Sequence, residues 1–527
     1  MTCTLAAGLL AITAAAVAQT AGPRLATFRS SADGTEQPYA LYVPPAFDAA
    51  RRWPLVVSLH AEETDHRINL RQILGAPSRT GEMAPADMRY GPAHETPYFI
   101  VSPLARGTIG YEGIAERDVY DAIADVERHY PIDEDRVYLT GISMGGGGAL
   151  RLALTRPDVW AAVAPLCPVE EPGSDEVIGN ALNLPVRIYH GEQDPIVPAA
   201  ASRALQRKLV DAGVPAEYIE YPGVRHNVWD FAYRNGAVFE WFGQFRRKRN
   251  PERVRLTTSS YRYGSAYWVR IDGLTPGTPA TLDARRTNIA TRNLDAFTLT
   301  LERPVAMVTI DGAPLRSKPA ATLSFERIAG KWRSVPATAS RPHREGPIAA
   351  AFAGRTIFVY GSAGTRTPGE LADRRMVAEH ARFLPAQEVR MDSELNPQDA
   401  ASANLILFGT SETNLGIARL AAQLPMSLNP GAADYGLVFI AVAGDRYVVV
   451  NSGLPWWTGA EDAGRGGDRF QPLPLRVAST FGDYLLFRGS LRQVVAEGRY
   501  DAAWRVPAAA IAKMSASGTV TFRESPR

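Results

Sequence analysis

The sequence predicts an α/β protein: a first module on a mostly parallel sheet, a small all-β module, then a C-terminal α/β module. Three observations carry this. Residues 25–249 alternate short apolar runs with helix-period segments, and such alternation means a largely parallel sheet covered on both faces. From 252 to 342 the helix period vanishes, and short alternating runs are split by Gly, Pro, Asn and Asp. From 347 to about 505 the strand–helix rhythm returns and ends in a β-rich tail. At 527 residues the chain exceeds one ordinary domain.

In the first module "YALYVP" (39–44), "PLVVSLH" (54–60), "YFIVSP" (98–103), "RVYLTG" (136–141), "PVRIYH" (185–190) and "EYIEY" (217–221) read as strands. Between them, "ERDVYDAIADVERHY" sets Val119, Ile123, Val126 and Tyr130 on one helical face. "AAASRALQRKLVDAG" does the same with Leu205 and Leu209, and Gly213 is its stop signal. The module closes with "AVFEWFGQF" and the basic run Arg246–Arg249, which is expected at the favoured cationic end of a helix. Pro251 marks the boundary.

The second module contributes "AYWVRIDGL", "ATLDARR", "AFTLTL", "AMVTIDGAPL" and "ATLSFERIAGKWRSV", and "SVPATASRPHREGP" follows as a linker. The third has strands in "RTIFVYG", "NLILFG", "YGLVFIAVAG" and "RYVVVNSG", with a charged helix through "GELADRRMVAEHARF". Its Gly-rich loop "GSAGTRTPGE" lacks both the Gly-Lys-Ser/Thr ending and the dinucleotide glycine spacing, so it reads as a plain turn.

Composition is 46% hydrophobic and 21% charged, enough for each module to bury a core. A net charge of +2 gives no field for nucleic acid or an anionic membrane. "MTCTLAAGLLAITAAAVAQ" reads as a signal peptide over residues 1–18, with Ala16-Val17-Ala18 as a small-x-small cleavage site, so a secreted or periplasmic location is expected. No other segment approaches the length of a bilayer span. Of the two cysteines, Cys3 leaves with the leader, and Cys167 remains as a small buried hydrophobe with no disulfide partner. No His/Cys/Asp spacing suggests a metal, and no cofactor is implied.

Chemistry concentrates in "LTGISMGGGGALRLAL" (139–154). Gly141-Ile142-Ser143-Met144-Gly145 matches the Gly-x-Ser-x-Gly nucleophile elbow. Chance alone gives roughly 0.2 such matches in a chain this long, so context decides. The motif follows a strand directly and opens a helix, as an elbow requires. Four consecutive glycines cost a helix roughly 0.8–1 kcal/mol each against Ala. They answer a steric need, because strand and helix must approach closely behind an exposed Ser hydroxyl. A serine hydroxyl needs a base to take its proton, and the base needs an acid to orient it. In this fold class the order is Ser, acid, His. Asp194 in "RIYHGEQDPIVP" and His226 in "YIEYPGVRHNVWDF" follow Ser143 in that order, each in a loop after a strand. Glu192 is the rival acid, with the poorer position. His60, His66, His94, His129 and His190 precede Asp194, while His343 and His380 lie beyond the module.

"YALYVPPAFDAARRWPLVVSLH", "ERDVYDAIADVERHYPIDEDRVYLTGISMGGGGAL", "IYHGEQDPIVP" and "GVRHNVWDFAY" resemble the polyhydroxybutyrate-depolymerase and feruloyl-esterase-like branch of the α/β-hydrolases, and the catalytic domain of the prolyl oligopeptidase family. The resemblance covers residues 27 to about 245. It implies an α/β-hydrolase domain with Ser143 as nucleophile, His226 as general base and acid, Asp194 as orienting acid and the Met144 N–H as one oxyanion donor. The second donor is expected from Ala61, but here the chain departs from the family's His-Gly-x-Gly: it has His60-Ala61-Glu62-Glu63. Alanine presents an N–H without strain only where φ is not positive. Two carboxylates beside a developing oxyanion would raise its energy unless they point away. Glu62 or Glu63 could instead hold a cationic substrate group, and Trp229 is placed to line the acyl or alcohol pocket or to pack in the core.

The expected activity is cleavage of carboxylic esters, polymeric or aromatic-acid esters included, through an acyl-enzyme. One rival is a serine peptidase of the prolyl oligopeptidase family; the short stretch before the first strand leaves no room for that family's gating propeller, which favours esters. The other is a binding protein with a decayed oxyanion hole, and the intact Ser143 and His226 argue against it.

Overall fold

The computed structural model describes residues 21–523 apart from 76–93, 171–172, 276, 337–344, 366, 466–468 and 502. The expected leader at 1–18 and Cys3 lie outside the described residues.

The first module contains β1 (Gly22–Arg29), β2 (Glu36–Val43), β3 (Trp53–Leu59), α1 (His66–Leu74), β4 (Phe99–Pro103), α2 (Ile114–His129), β5 (Ile132–Ile142), α3 (Met144–Thr155), β6 (Ala162–Leu166), α4 (Ser174–Val177), β7 (Val186–Gly191), α5 (Ala199–Asp211), β8 (Ala216–Tyr221), α6 (Trp229–Ala232) and α7 (Ala237–Phe242). Its eight strands lie in the order β1-β2-β4-β3-β5-β6-β7-β8. The pairs β1–β2 and β2–β4 are antiparallel and the rest parallel. β3, β4 and β6 are buried along their whole length, which is why they read as unbroken apolar runs and not as alternating ones. β6, Ala-rich and five residues long, has no counterpart among the expected strands, and it sits between β5 and β7. The Arg246–Arg249 run is not the end of a helix. It lies beyond α7 and pairs across the fold: Arg246 with Asp133 at 3.0 Å, Arg249 with Asp135 at 2.8 Å. The acidic start of β5 supplies the counter-charges that a helix terminus was expected to supply.

The second module is an eight-stranded sheet of β9 (Arg253–Thr258), β10 (Ser265–Ala266), β11 (Val269–Leu274), β12 (Ala280–Arg285), β13 (Asn288–Arg292), β14 (Leu294–Ile310), β15 (Ala313–Ile328) and β16 (Lys331–Val335). The third has β17 (Thr356–Tyr360), α8 (Pro368–Ala381), β18 (Glu388–Met391), α9 (Pro397–Ser402), β19 (Asn404–Phe408), α10 (Leu415–Leu420), β20 (Met426–Leu428), β21 (Tyr435–Ala443), β22 (Arg446–Gly453), α11 (Leu473–Ala478), β23 (Tyr484–Arg488), β24 (Ser490–Gly498), α12 (Ala508–Ala516) and β25 (Val520–Phe522). Its main sheet runs β18-β17-β19-β22-β21-β23-β24, and β25 returns to pair with β20, so this module extends past residue 505. The switch point between β17 and β19, where such sheets bind ligands, is filled from within. Arg374 donates to the carbonyls of Gly361 and Ala363, and Asp392 accepts from the Ser362 and Leu415 N–H groups.

One apolar cluster runs from the first module into the third, from Leu55 and Val119 to Phe352 and Trp456. Polar seams accompany it: Arg355 N–H donates to the Ala32 carbonyl at 2.8 Å, and buried Glu116 of α2 takes Arg262 at 2.9 Å and the Tyr263 hydroxyl at 2.6 Å. Truncation after Arg249 strips cover from this apolar face. The shortened chain is expected to aggregate on size-exclusion chromatography, and a soluble, cooperatively folding monomer would show that the first module needs no such cover.

Candidate active site

β5 ends at Ile142, and Ser143 turns sharply out of it at φ 56°, ψ −112° before α3 begins. Positive φ at a residue with a Cβ is strained and persists only where the surroundings enforce it. The glycines around it enforce it. A Cβ on Gly145 would stand 2.2 Å from the Leu59 carbonyl oxygen, one on Gly141 2.1 Å from that of Gly145, and one on Gly146 2.4 Å from that of Leu166. These are backbone collisions, which no side-chain rotation relieves. Gly145→Ala is expected to cost about 3 kcal/mol of stability, read from the urea midpoint; a change below about 0.5 kcal/mol would show that β3 can retreat.

The order β5-β6-β7-β8 sets the ends of four parallel strands side by side. Ser143 leaves β5, Cys167 follows β6, Asp194 sits three residues beyond β7, and His226 five beyond β8. The Asp194 side chain is fully buried, and its Oδ2 lies 2.6 Å from His226 Nδ1. Asp194 Oδ1 accepts from the N–H groups of Ile196 at 2.8 Å and Val197 at 2.9 Å. Burial pushes the Asp194 carboxyl up, but the donors from His190, His226 and Val197 outweigh it and hold it well below the usual carboxylate range. It is therefore an anion with Oδ2 aimed at imidazole N–H and Oδ1 at backbone N–H. Glu192 is exposed and accepts from the Gly223 N–H instead, away from His226. No hydrogen bond joins Ser143 to His226 here; apo sites often close that contact only with substrate bound.

Gly191 explains how the His226 loop comes so close. A Cβ there would meet the Arg225 carbonyl oxygen at 2.1 Å. Trp229, at the start of α6, presents its ring edge-on to His226 with centroids 5.8 Å apart, and it is buried among core residues. Cys167 is fully buried, with Sγ 3.8 Å from the His226 carbonyl oxygen, and burial raises its thiol far above the ordinary value. It is a packed thiol, not a nucleophile. Cys167, Asp194 and His226 come within 4.8 Å of one another. Yet the imidazole Nδ1 is spent on Asp194 and the thiol is held protonated, which does not suit a metal centre.

Two backbone N–H groups near the ends of β5 and β3 are the candidates for oxyanion donors. Met144 N–H lies in the first turn of α3, where the helix has no acceptor for it, and Ala61 N–H follows β3. Neither donates a hydrogen bond among the described residues. Ala61 is absent from the positive-φ positions, so the departure from glycine carries no strain. The following turn closes with Thr64 N–H on the Ala61 carbonyl at 3.2 Å and leaves Glu62 and Glu63 in solvent. His60 braces this corner: Nδ1 lies 2.8 Å from the Ala61 carbonyl oxygen and Nε2 2.9 Å from that of Leu104. Its complete burial lowers its pKa. Tyr111 adds a hydroxyl on the His60 carbonyl at 3.0 Å. Ala61→Gly is accordingly expected to change kcat by no more than about threefold, against the 10²–10³ of a lost oxyanion donor; a tenfold rise would mean that alanine had cost the site a donor.

Residues 37–169 match the family model described as esterase PHB depolymerase, and residues 110–238 match that of the dienelactone hydrolase family. Both matches fall within the first module, which is similar to the α/β-hydrolases over those residues. Cutinase 1 of Thermobifida cellulosilytica is 34% identical over 95 residues, 18% of this chain and 34% of that protein. A cutinase of Thermobifida fusca is likewise 34% identical over 95 residues, 30% of its length. The chain thus spans about a third of these curated relatives. Among solved structures, a thermostable esterase is 28% identical with a TM-score of 0.34, covering 43% of this chain and 63% of its own. A ferulic acid esterase is 17% identical with a TM-score of 0.33, covering 42% of this chain and 100% of its own. Ser143, Asp194 and His226 follow β5, β7 and β8 respectively. His190 and the bracing His60 are what the pattern passed over. His190 precedes Asp194 and so fails the order test, although a His-Gly pair just before the acid was a visible signal.

Proposed function

We propose that the chain is an exported serine hydrolase that cleaves carboxylic esters through an acyl-enzyme, with Ser143 as nucleophile, His226 as base and Asp194 as orienting acid. The observation that carries this is a buried carboxylate held on His226 Nδ1, with a serine on a glycine-packed turn at the end of a strand of the same sheet. Asp194 holds the proton on Nδ1, leaving Nε2 free to accept one. His226 takes the Ser143 proton as Oγ attacks the carbonyl carbon. The carbonyl oxygen, now negative, is met by the N–H groups of Met144 and Ala61. His226 then protonates the departing alcohol, and the C–O bond breaks. Water, deprotonated by His226, attacks the acyl carbon and releases the acid and Ser143.

The cutinase relatives and the PHB-depolymerase match favour esters, polymeric ones included. Trp229 would line the acyl or alcohol pocket, and exposed Glu62 would meet a cationic substrate group. The apolar N-terminus favours a secreted or periplasmic location.

The test is a fluorophosphonate probe with intact-mass analysis, alongside p-nitrophenyl esters of increasing chain length. One probe mass on the Ser143 peptide and ester turnover are expected. Faster cleavage of aminoacyl p-nitroanilides than of any ester would move the chain to the peptidase reading. Neither labelling nor turnover would leave the binding reading.

A further inference from the structure

His190 and Ser202 form a buried chain that reaches the same Asp194 oxygen as His226. His190 lies in β7, and its side chain is completely buried. Its Nε2 stands 3.2 Å from Asp194 Oδ2, the same oxygen that faces His226, and 2.9 Å from the Val197 carbonyl oxygen. Both neighbours are acceptors, so Nε2 carries the proton. Nδ1 lies 2.8 Å from Ser202 Oγ, on α5 and also buried, and so accepts from that hydroxyl. In this tautomer the one Nε2–H lies between two acceptors, nearer the Val197 carbonyl at 2.9 Å than Asp194 Oδ2 at 3.2 Å.

We propose that His190 is a positioning residue: with Ser202 fixing its tautomer, its Nε2–H shares Asp194 Oδ2 with His226 and so sets both the aim of the carboxylate and the charge that His226 feels. This rests on the proposed serine-hydrolase chemistry. A carboxylate with backbone donors on one oxygen alone could still rotate about its Cβ–Cγ bond. A second imidazole on the other oxygen stops it. Sharing also draws electron density from Oδ2, since an acceptor already bonded to one donor is weaker toward the next. Among the described residues, the other ionisable groups near this chain include Cys167 after β6, Glu220 of β8 beside His190 in register, and Arg203 of α5, which Glu220 holds at 2.7 Å.

His190→Phe keeps a ring but no donor. His190→Gln keeps an amide donor that reaches toward Oδ2. Ser202→Ala removes only the tautomer lock. With a p-nitrophenyl ester, His190→Phe is expected to lower kcat about 10- to 100-fold with KM within about twofold. The acid limb of its kcat/KM profile is expected to move to higher pH, because Asp194 stabilises the His226 imidazolium more when unshared. His190→Gln is expected to restore most of kcat and return the limb, and Ser202→Ala to move the limb the same way by less. An unmoved limb in folded His190→Phe overturns the proposal. If that variant does not fold, an unmoved limb in Ser202→Ala does so. Failure of the underlying reading looks different: the unaltered chain would then neither take the fluorophosphonate nor turn over ester.

Discussion

Ser143→Ala is expected to lower kcat on a p-nitrophenyl ester by about 10⁶-fold with KM little changed. That corresponds to about 8 kcal/mol of transition-state stabilisation. The size follows from what the substitution leaves behind. His226, Asp194 and the two N–H donors remain, so water can still be deprotonated near a polarised carbonyl, but no atom is held in line to attack. Fluorophosphonate labelling should vanish with turnover. Stability should barely change, since alanine occupies the same strained turn at φ 56° with a smaller group. A variant retaining more than about one part in a hundred of wild-type kcat would remove Ser143 as nucleophile.

The site was legible in the sequence where chemistry and chain order coincide. Gly141-Ile142-Ser143-Met144-Gly145 after an apolar strand, then Asp194 and His226 after two more, name positions at the ends of parallel strands, and parallel strands bring such ends together. What stayed hidden depends on contacts distant in sequence. β6 is too short and alanine-rich to announce itself, yet it separates the serine strand from the acid strand. The Arg246–Arg249 run looked like a helix end because its partners, Asp133 and Asp135, lie more than a hundred residues earlier. Ala61 raised a conflict that backbone geometry removes: a glycine in related chains says nothing about φ here. His190 was set aside by an order rule that identifies bases and has no place for a second donor to the acid.

The third module is legible as an α/β unit but not as part of the first module's support. The apolar cluster shared by Leu55 and Trp456 makes it structural cover for the first module. Any contribution to binding a polymer must therefore be sought by surface substitutions, not by deletion.

Asp194→Asn is expected to lower kcat by about 10⁴-fold in a chain that still folds. The isostere keeps the shape. Its carbonyl oxygen can take the Ile196 and Val197 N–H groups, which turns the amide nitrogen toward His226 Nδ1 and His190 Nε2. Its two protons would then face two imidazole N–H groups. Relief requires His226 to move its proton to Nε2, the nitrogen that must accept from Ser143, so the base is disabled by tautomer. His190 meets the same conflict, and its Ser202 and Val197 bonds resist a switch. The substitution also carries a stability signature. The Asp194 carboxyl titrates lower in the folded chain than in the unfolded one, so its contribution to stability is complete above the unfolded value near pH 4 and is lost as pH falls through the folded one. The wild type is expected to lose stability below about pH 4 more steeply than Asp194→Asn, read by chemical denaturation at each pH. Parallel curves, or a variant within about tenfold of wild-type kcat, would mean that His226 takes its orientation from another group.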